Sequence, residues 1–408
     1  MTSSSPAHTR DRVLLLSAAF LRALATGMIG VLIGFYLAAM HLSPARIGMI
    51  VSLGLSGMAV AALLTTLRGD RIGRRRMLLV LALFAAIGGA VVASASSTLV
   101  IAVAAFLGML NGMGRDRSAS LILDQVILPT TTDDRGRTQL FAWYNLLQDI
   151  GHALGSLAAG LPTLLQHAAG VGPLPSLRIS VLIYAAILLV TAAIYAALTP
   201  SVEAGATTVR ARLSPESRRI ITRISALFAL DGLGGGFLTA ALLSYFFFER
   251  FGASPAVVGW LFFAARVANA FSHLGAAWLA KRIGLVNTMV FTHVPSSLLL
   301  VTVAFAPTFP IAAALFILRE GLVEMDVPTR QSYVVAVVSP EERTVASGIT
   351  HLVRLGSWAV APAFAGLLMN QGSLGAPLAV GAAMKISYDV LLYLAFRKVK
   401  PPEERAAA

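Results

Sequence analysis

The sequence predicts an all-α polytopic membrane protein of twelve transmembrane helices, arranged as two six-helix pseudo-repeats. Three observations predict it. Hydrophobic residues make up 57% of the 408-residue chain and charged residues only 12%, about half the charged share of an average soluble chain. Apolar runs of the length that crosses a bilayer, about 20 residues, recur along nearly the whole chain. The basic residues behind the net charge of +13 concentrate in short turns between those runs, as the positive-inside rule requires of cytoplasmic loops. That clustering accounts for the charge without nucleic acid as a partner. The chain has no cysteine, which excludes disulfides, thiolate metal sites and cysteine nucleophiles.

Span 1 covers about Val13–Met40 after a polar, basic start. Ala23-Leu24-Ala25 mimics a signal-peptide cleavage site, but the apolar run continues past it, so the span is read as retained. Span 2, roughly Ile47–Leu67, and span 3, Met77–Ala95, flank the densest basic turn, Arg68-Gly69-Asp70-Arg71-Ile72-Gly73-Arg74-Arg75-Arg76. Span 4 runs from about Leu99 towards Leu128 and ends in a charged stretch with Arg115, Asp116, Arg117 and Asp124. Span 5 covers about Thr138–Pro162. A loop at Gln166–Ser176 leads to span 6, about Ile179–Leu198.

The longest polar interval, Thr199–Arg219, falls almost at the midpoint. It reads as a cytoplasmic linker at 200–218, between an N-terminal bundle at 1–199 and a C-terminal bundle with a short basic tail at 219–408. Spans 7 to 12 follow at about Ile220–Phe248, Pro255–Leu279, Leu285–Phe305, Phe309–Val338, Thr344–Met369 and Pro377–Phe396. With this count only Arg46, Arg178 and Arg250 fall in outer loops. Both termini are therefore expected on the cytoplasmic side of a bacterial-type inner membrane.

The halves repeat. Ser43-Pro44-Ala45-Arg46-Ile47-Gly48 returns as Ser254-Pro255-Ala256-Val257-Val258-Gly259, and Arg71-Ile72-Gly73 as Arg282-Ile283-Gly284, each 211 residues on. Asp133-Asp134-Arg135 has a counterpart in Glu341-Glu342-Arg343, 208 residues on. Six spans per half make the repeats parallel, an arrangement of transporters that place substrate near mid-membrane.

Thr66–Arg76 resembles the loop 2–3 signature of the major facilitator superfamily, Gly-x-x-x-Asp-Arg-x-Gly-Arg-Arg/Lys. Thr66 stands at the first glycine, followed by Asp70, Arg71, Gly73, Arg74 and Arg75. The second copy has Lys281 where the aspartate would be. The resemblance implies a cytoplasmic gate in which Asp70, Arg71, Gly73 and Arg74 take part, with glycine allowing the tight turn. Arg74, Arg75 and Arg76 also fix topology and can meet anionic lipid. Glu324 and Asp326, near the inner end of span 10, are further gate candidates.

Charges within the spans are the second signal. Arg22 lies about 15 Å past Arg12, and Asp231 about 12 Å past Arg223, at 1.5 Å per residue. Asp149 lies in span 5, flanked by Gln148 and His152. Arg266, Asn269 and His273 share one face of span 8. Arg319 and Glu320 lie in span 10 and Arg354 in span 11. Such groups cost at least about 2.5–3.5 kcal/mol each in hydrocarbon, so they should face the interior, paired or wet. Arg22, Asp149, Asp231, Arg266, Asn269, Arg319, Glu320 and Arg354 are therefore candidates for a substrate and proton site. Lys385 and Asp389, four residues apart on span 12, read as a private intrahelical pair.

Glycine spacing is the third signal. Gly27, Gly30 and Gly34 in span 1, and Gly108, Gly112 and Gly114 in span 4, suit close helix packing. Gly151-x-x-x-Gly155-Ser156-x-x-Ala159-Gly160 resembles the helix 5 signature of antiporters in that family, with Ser156 and Ala159 as departures. The glycines after Asp231 read as a broken or flexible helix, since no strand precedes them and no Walker lysine follows. The expected function is secondary active transport of a small organic solute by alternating access, proton-coupled and directed to efflux of amphipathic compounds. The alternatives are an uptake symporter for a polar or anionic metabolite and a non-transporting membrane sensor. No enzyme activity, cofactor or metal is expected; the partners are solute, protons and membrane lipid, and the chain is expected to be a monomer.

Overall fold

The computed structural model describes residues 6–132, 136–203, 214–325, 330, 334, 338–339 and 342–396. Among them the chain is helical with no strand. Its helices are α1 Pro6–Ala39, α2 Pro44–Ile72, α3 Arg74–Ser94, α4 Thr98–Leu107, α5 Ala119–Ile127, α6 Arg137–Ala158, α7 Leu161–Ala169 and α8 Pro173–Ala196. The second half holds α9 Pro215–Gly236, α10 Ala240–Phe251, α11 Pro255–Ile283, α12 Leu285–Phe305, α13 Phe309–Val323, α14 Arg343–Asn370 and α15 Ala376–Phe396.

Nine helices among the described residues are long and apolar enough to cross a membrane, counting α9 and α10 as one. The expected spans 4, 5 and 10, carried by α4 with α5, α6 with α7, and α13, bring the count to twelve. Among the described residues four spans differ from the single continuous helices expected; in span 10, expected over about Phe309–Val338, α13 ends at Val323 and a turn follows at Glu324 and Met325. Span 4 is interrupted between Leu107 and Ala119, span 5 steps at Ala159–Gly160 and continues as α7 through part of the expected loop, and span 7 breaks between Gly236 and Ala240.

The repeat is visible in the caps. Prolines 44 and 255 open α2 and α11, at the helix position where a missing N–H costs nothing. Gly73 and Gly284 end α2 and α11 with φ of +100° and +82°. A side chain is strained there, so the two Arg-Ile-Gly copies make the same sharp turn for the same reason.

The chain forms two compact units, Met1–Thr208 with Thr239–Phe263, and Val209–Leu238 with Ala264–Ala408. In unit 1, α1 packs along α6, α8 and α10, α3 along α8, and α2 along α4. Glycine sets the α1–α6 distance: a Cβ on Gly155 would fall 2.1 Å from the Leu24 carbonyl oxygen, and one on Gly27 2.4 Å from that of His152. In unit 2, α9 packs on α14 and α15, and α12 on α13 and α15. Ile224, Phe228, Met289, Val290, Tyr388 and Leu392 belong to its apolar core. Large apolar side chains such as Leu99, Phe305 and Phe271 are exposed, as suits helices whose outer solvent is lipid.

Carboxylates fasten the described ends of the linker. Asp11 of α1 accepts from the Thr199 amide at 2.9 Å and from the Ser201 hydroxyl at 2.7 Å. Glu203 accepts from the amides of Arg74 and Arg75 at 2.7 and 3.0 Å, placing an anion on the positive end of α3. In unit 2 Glu342 accepts from the Ser214 amide and from the Ser217 hydroxyl at the start of α9.

Candidate functional site: two buried charge clusters

The interruption of span 4 builds the first cluster. Gly108 closes α4, and Met109 and Gly114 take positive φ values. The Asn111 side chain then folds the segment on itself, donating to the Arg115 carbonyl at 2.7 Å and accepting from the Met113 amide at 2.9 Å. Non-helical backbone at membrane depth must find partners inside the protein. Here the Gly112 carbonyl accepts from the Ala241 amide at 3.0 Å, and the Asp116 amide donates to His152 Nε2 at 2.7 Å.

This segment delivers Asp116, and α5 delivers Asp124, to Arg22 of α1. Arg22 Nε donates to Asp116 Oδ2 at 3.0 Å and its Nη2 to Asp124 Oδ2 at 2.6 Å. Its Nη1 meets the Tyr195 hydroxyl. Tyr144 donates to Asp124 Oδ2 at 2.9 Å, and the Ser118 amide to Asp116 Oδ1 at 2.9 Å. All three charged groups are buried, Asp124 completely. A cavity of about 50 Å³ lies against Arg22, Asn111, Asp116, Ser118, Ser120 and Tyr184. That admits a water or two and is far below the about 300 Å³ of a small-molecule site.

The second cluster lies in unit 2. Asp231 of α9 accepts from Lys385 of α15 and Arg354 of α14, both at 2.9 Å, and pairs with Arg330 at 3.6 Å. Glycines bring the helices together: a Cβ on Gly232 would lie 2.8 Å from the Ser357 side chain, and one on Gly236 2.6 Å from that of Ala361. Aromatic faces line the cations. The Arg354 guanidinium sits 4.8 Å from the Trp358 ring centre, and that of Arg330 5.5 Å from Phe228. Lys385 also lies 3.2 Å from His293 Nε2 of α12, whose Nδ1 is 3.0 Å from Asp389.

The structure corrects two expectations here. Lys385 and Asp389 do not form a private pair; Lys385 reaches Asp231, Asp389 reaches His293, and the imidazole links them. Asp116 and Asp124 are not the charged cytoplasmic end of a continuous helix; the break folds them inward onto Arg22. A buried arginine needs carboxylates, and Gly108, Asn111-Gly112 and Gly114 ahead of Asp116 were the signal that the helix would break.

The other candidates fall elsewhere. Asn269 of α11 donates to Glu320 Oε2 at 2.9 Å, and Arg319 pairs with Glu320 in α13. Arg266 lies one turn before Asn269 and is half-buried. Asp149 is exposed on α6, whereas its neighbours Gln148 and His152 are buried; successive residues are about 100° apart on a helix. Asp70 pairs with Arg74 at 3.0 Å across one turn, with Arg74 buried and Arg71 exposed. Glu324 ends α13, and Asp326 lies outside the described residues. Glu203, Arg330 and His293 escaped the sequence reading, because each gains its partner only across the fold.

Comparison with known proteins places this architecture. The chain matches the family described as Major Facilitator Superfamily over residues 15–248 and 224–408. An uncharacterised membrane protein of Saccharomyces cerevisiae is 22% identical over 95% of this chain and 94% of its own length. The crystal structure of the nucleoside transporter NupG superposes with a TM-score of 0.74 at 14% identity, covering 96% of this chain and all of NupG. A bacterial homologue of the human lysosomal transporter Spinster, inward-facing and unoccupied, gives 0.72 at 14% identity and 96% coverage of both chains. An auto-inhibited POT family peptide transporter gives 0.73 at 12% identity, over 96% of this chain and 97% of that one. Whole-length agreement of sequence family and fold leads to one conclusion: this chain is an integral membrane protein of the major facilitator superfamily, with the fold of a secondary transporter.

Proposed function

We propose that the protein is a proton-coupled secondary transporter that exports small amphipathic organic solutes by alternating access. It would act in a bacterial-type cytoplasmic membrane, as a monomer with both termini inside. The observation that carries this reading is the pair of buried ionic clusters at membrane depth, around Arg22 and around Asp231. Burying such groups is costly, and within membranes they mark solute and proton pathways. In this reading Asp231 and Arg354, beside Trp358, contact solute, as do Arg266, Asn269, Arg319 and Glu320. Asp70, Arg71, Gly73, Arg74, Glu324 and Asp326 belong to the cytoplasmic gate. Export is supported by the likeness of Gly151–Gly160 to the antiporter signature of span 5.

The test is flux in proteoliposomes of the purified full chain, with ethidium as the amphipathic probe and an imposed pH gradient as the driving force. Gradient-dependent movement that collapses with a protonophore is expected. Movement indifferent to the gradient would remove proton coupling. A second reading, uptake of an organic anion, is favoured by the three cations gathered around Asp231. Labelled succinate moving inward with protons, with ethidium immobile, would select it. Absence of counterflow for either probe would favour a sensor.

A further inference from the structure

We infer that His293 is a proton-binding site exchanged against Lys385, so that a proton entering unit 2 releases an ammonium from the same cluster. The geometry of the ring is the first observation. His293 is buried in α12. Its Nε2 lies 3.2 Å from Lys385 Nζ, and that ammonium also donates to Asp231 Oδ1 at 2.9 Å. An ammonium has donors only, so Nε2 must offer its lone pair and the ring proton must sit on Nδ1. There both oxygens of Asp389, at 3.0 Å each, accept it. The resting ring is neutral, in one tautomer fixed from both sides.

The second observation is what stands on either side of the ring. Asp389, completely buried behind it, favours an imidazolium. Lys385 in front opposes one, because a proton on Nε2 would set two positive groups 3.2 Å apart. One positive charge fits between Nε2 and Nζ; two do not. Proton uptake therefore requires Lys385 to withdraw. The hydrogen bond from Nζ to Nε2 is lost, a proton from water forms the Nε2–H bond, and the imidazolium pairs with Asp389. Of the helices packed on α12, α15 supplies Lys385, Asp389 and the Tyr388 ring, edge-on at 6.2 Å. The other, α13, carries Arg319 and Glu320, paired with each other. Beyond Lys385 stands Asp231 of α9, which retains Arg354 and Arg330 when Lys385 withdraws.

The repeat supplies the third observation. His293 stands nine residues after Gly284, and Ala82 nine after Gly73. Ala82 lines the cavity of unit 1, where α3 packs on α8 as α12 packs on α15. Unit 2 thus has an ionisable ring where its copy has a methyl group. An apolar side chain would serve packing there without a buried acid beside it. The released Lys385 is free to meet an anionic group, so a proton and a carboxylate-bearing solute are expected to bind unit 2 together. That use of the ammonium rests on the solute site proposed around Asp231; the proton site does not.

Nitrogen-15 NMR of the full chain in lipid nanodiscs, with labelled histidine, tests the exchange. The chain has seven histidines, and the signal lost in His293→Gln identifies this ring. Wild type near neutral pH should show a neutral ring protonated at Nδ1. In Lys385→Met the ring should take its second proton at a pH higher by about one to three units. Lys385→Arg keeps the charge and should titrate like wild type, which guards against disruption by the first change. A resting ring protonated at Nε2, or a titration unmoved by Lys385→Met, overturns the proposal. Sodium succinate, but not sodium chloride, should raise the pH of uptake in wild type and leave Lys385→Met unmoved. Succinate without effect would overturn the joint binding of an anionic solute and keep the exchange with Lys385. Both shifts without pH-driven flux would condemn coupled transport and leave the proton site in place.

Discussion

In unit 1 Arg22 stands between two carboxylates; in unit 2 Asp231 stands among three cations, with Asp389 joined to one of them, Lys385, through His293. The two central residues come from the first span of each repeat, within two positions of one another after the 211-residue offset. Each is met by groups from later spans of its own half. The repeat therefore preserved where a charge is buried and reversed its sign. Backbone symmetry set the depth and the neighbours, while side-chain substitution set the chemistry. A carboxylate surplus suits a proton and a cation surplus suits an anionic group, so the halves are suited to different tasks.

The strongest way to break this comparison is to delete each central residue. Asp231→Ala strands three buried cations and should cost about 3–5 kcal/mol, read as a lower melting temperature in detergent. Arg22→Ala strands two carboxylates, which protons can neutralise, so its deficit should shrink in acid while that of Asp231→Ala does not. Equal behaviour of the two variants with pH would show the reversed charge balance to have no thermodynamic consequence.

The next largest effect tests how unit 1 holds its cluster. Gly155→Ala would press a methyl into the Leu24 carbonyl. The resulting shift of α1 against α6 should cost about 1–3 kcal/mol, measured as denaturant or thermal stability. An unchanged melting point would mean that α1 can retreat without disturbing Arg22.

A smaller effect belongs to unit 2 outside the membrane. Hydrogen bonds from the Ser217 hydroxyl and the Ser214 amide hold the Glu342 carboxyl down at about 2, against an ordinary value of 4.5. A depressed acid stabilises the fold above its unfolded value and loses that contribution as pH falls through the folded one. Stability should therefore decline between pH 4.5 and about 2, and Glu342→Gln should flatten that part of an acid titration followed by tryptophan fluorescence. The smallest effect is expected in the basic turn of unit 1. Asp70 and Arg74 form a partly exposed pair worth about 0.3–0.5 kcal/mol, so Asp70→Asn should barely move the melting temperature. A large change in ethidium flux without a stability change would mark Asp70 as a gate residue.

How much of this was legible depends on the range of the interaction. Span positions followed from apolar run length, and α12 lies at the expected Leu285–Phe305. The Arg-Ile-Gly turns followed from a local need for positive φ at Gly73 and Gly284. Arg22, Asp231 and Arg354 were marked as costly intramembrane charges, and each is ion-paired in a buried cluster. Their partners were not legible. Asp124 meets Arg22 across 102 residues and Lys385 meets Asp231 across 154, distances at which no sequence periodicity speaks. The Lys385–Asp389 expectation failed for the same reason, because a favourable local pair lost to stronger partners on other helices.

The sequence by itself determined a twelve-span membrane protein of repeated halves, since helix length, turn glycines and loop charge are local or compositional properties. Only the tertiary structure decided which charges meet. Pairing at membrane depth is a contest among all ionic groups that packing brings within reach, and the winners are set by helix breaks such as that before Asp116 and by glycine contacts such as that at Gly232.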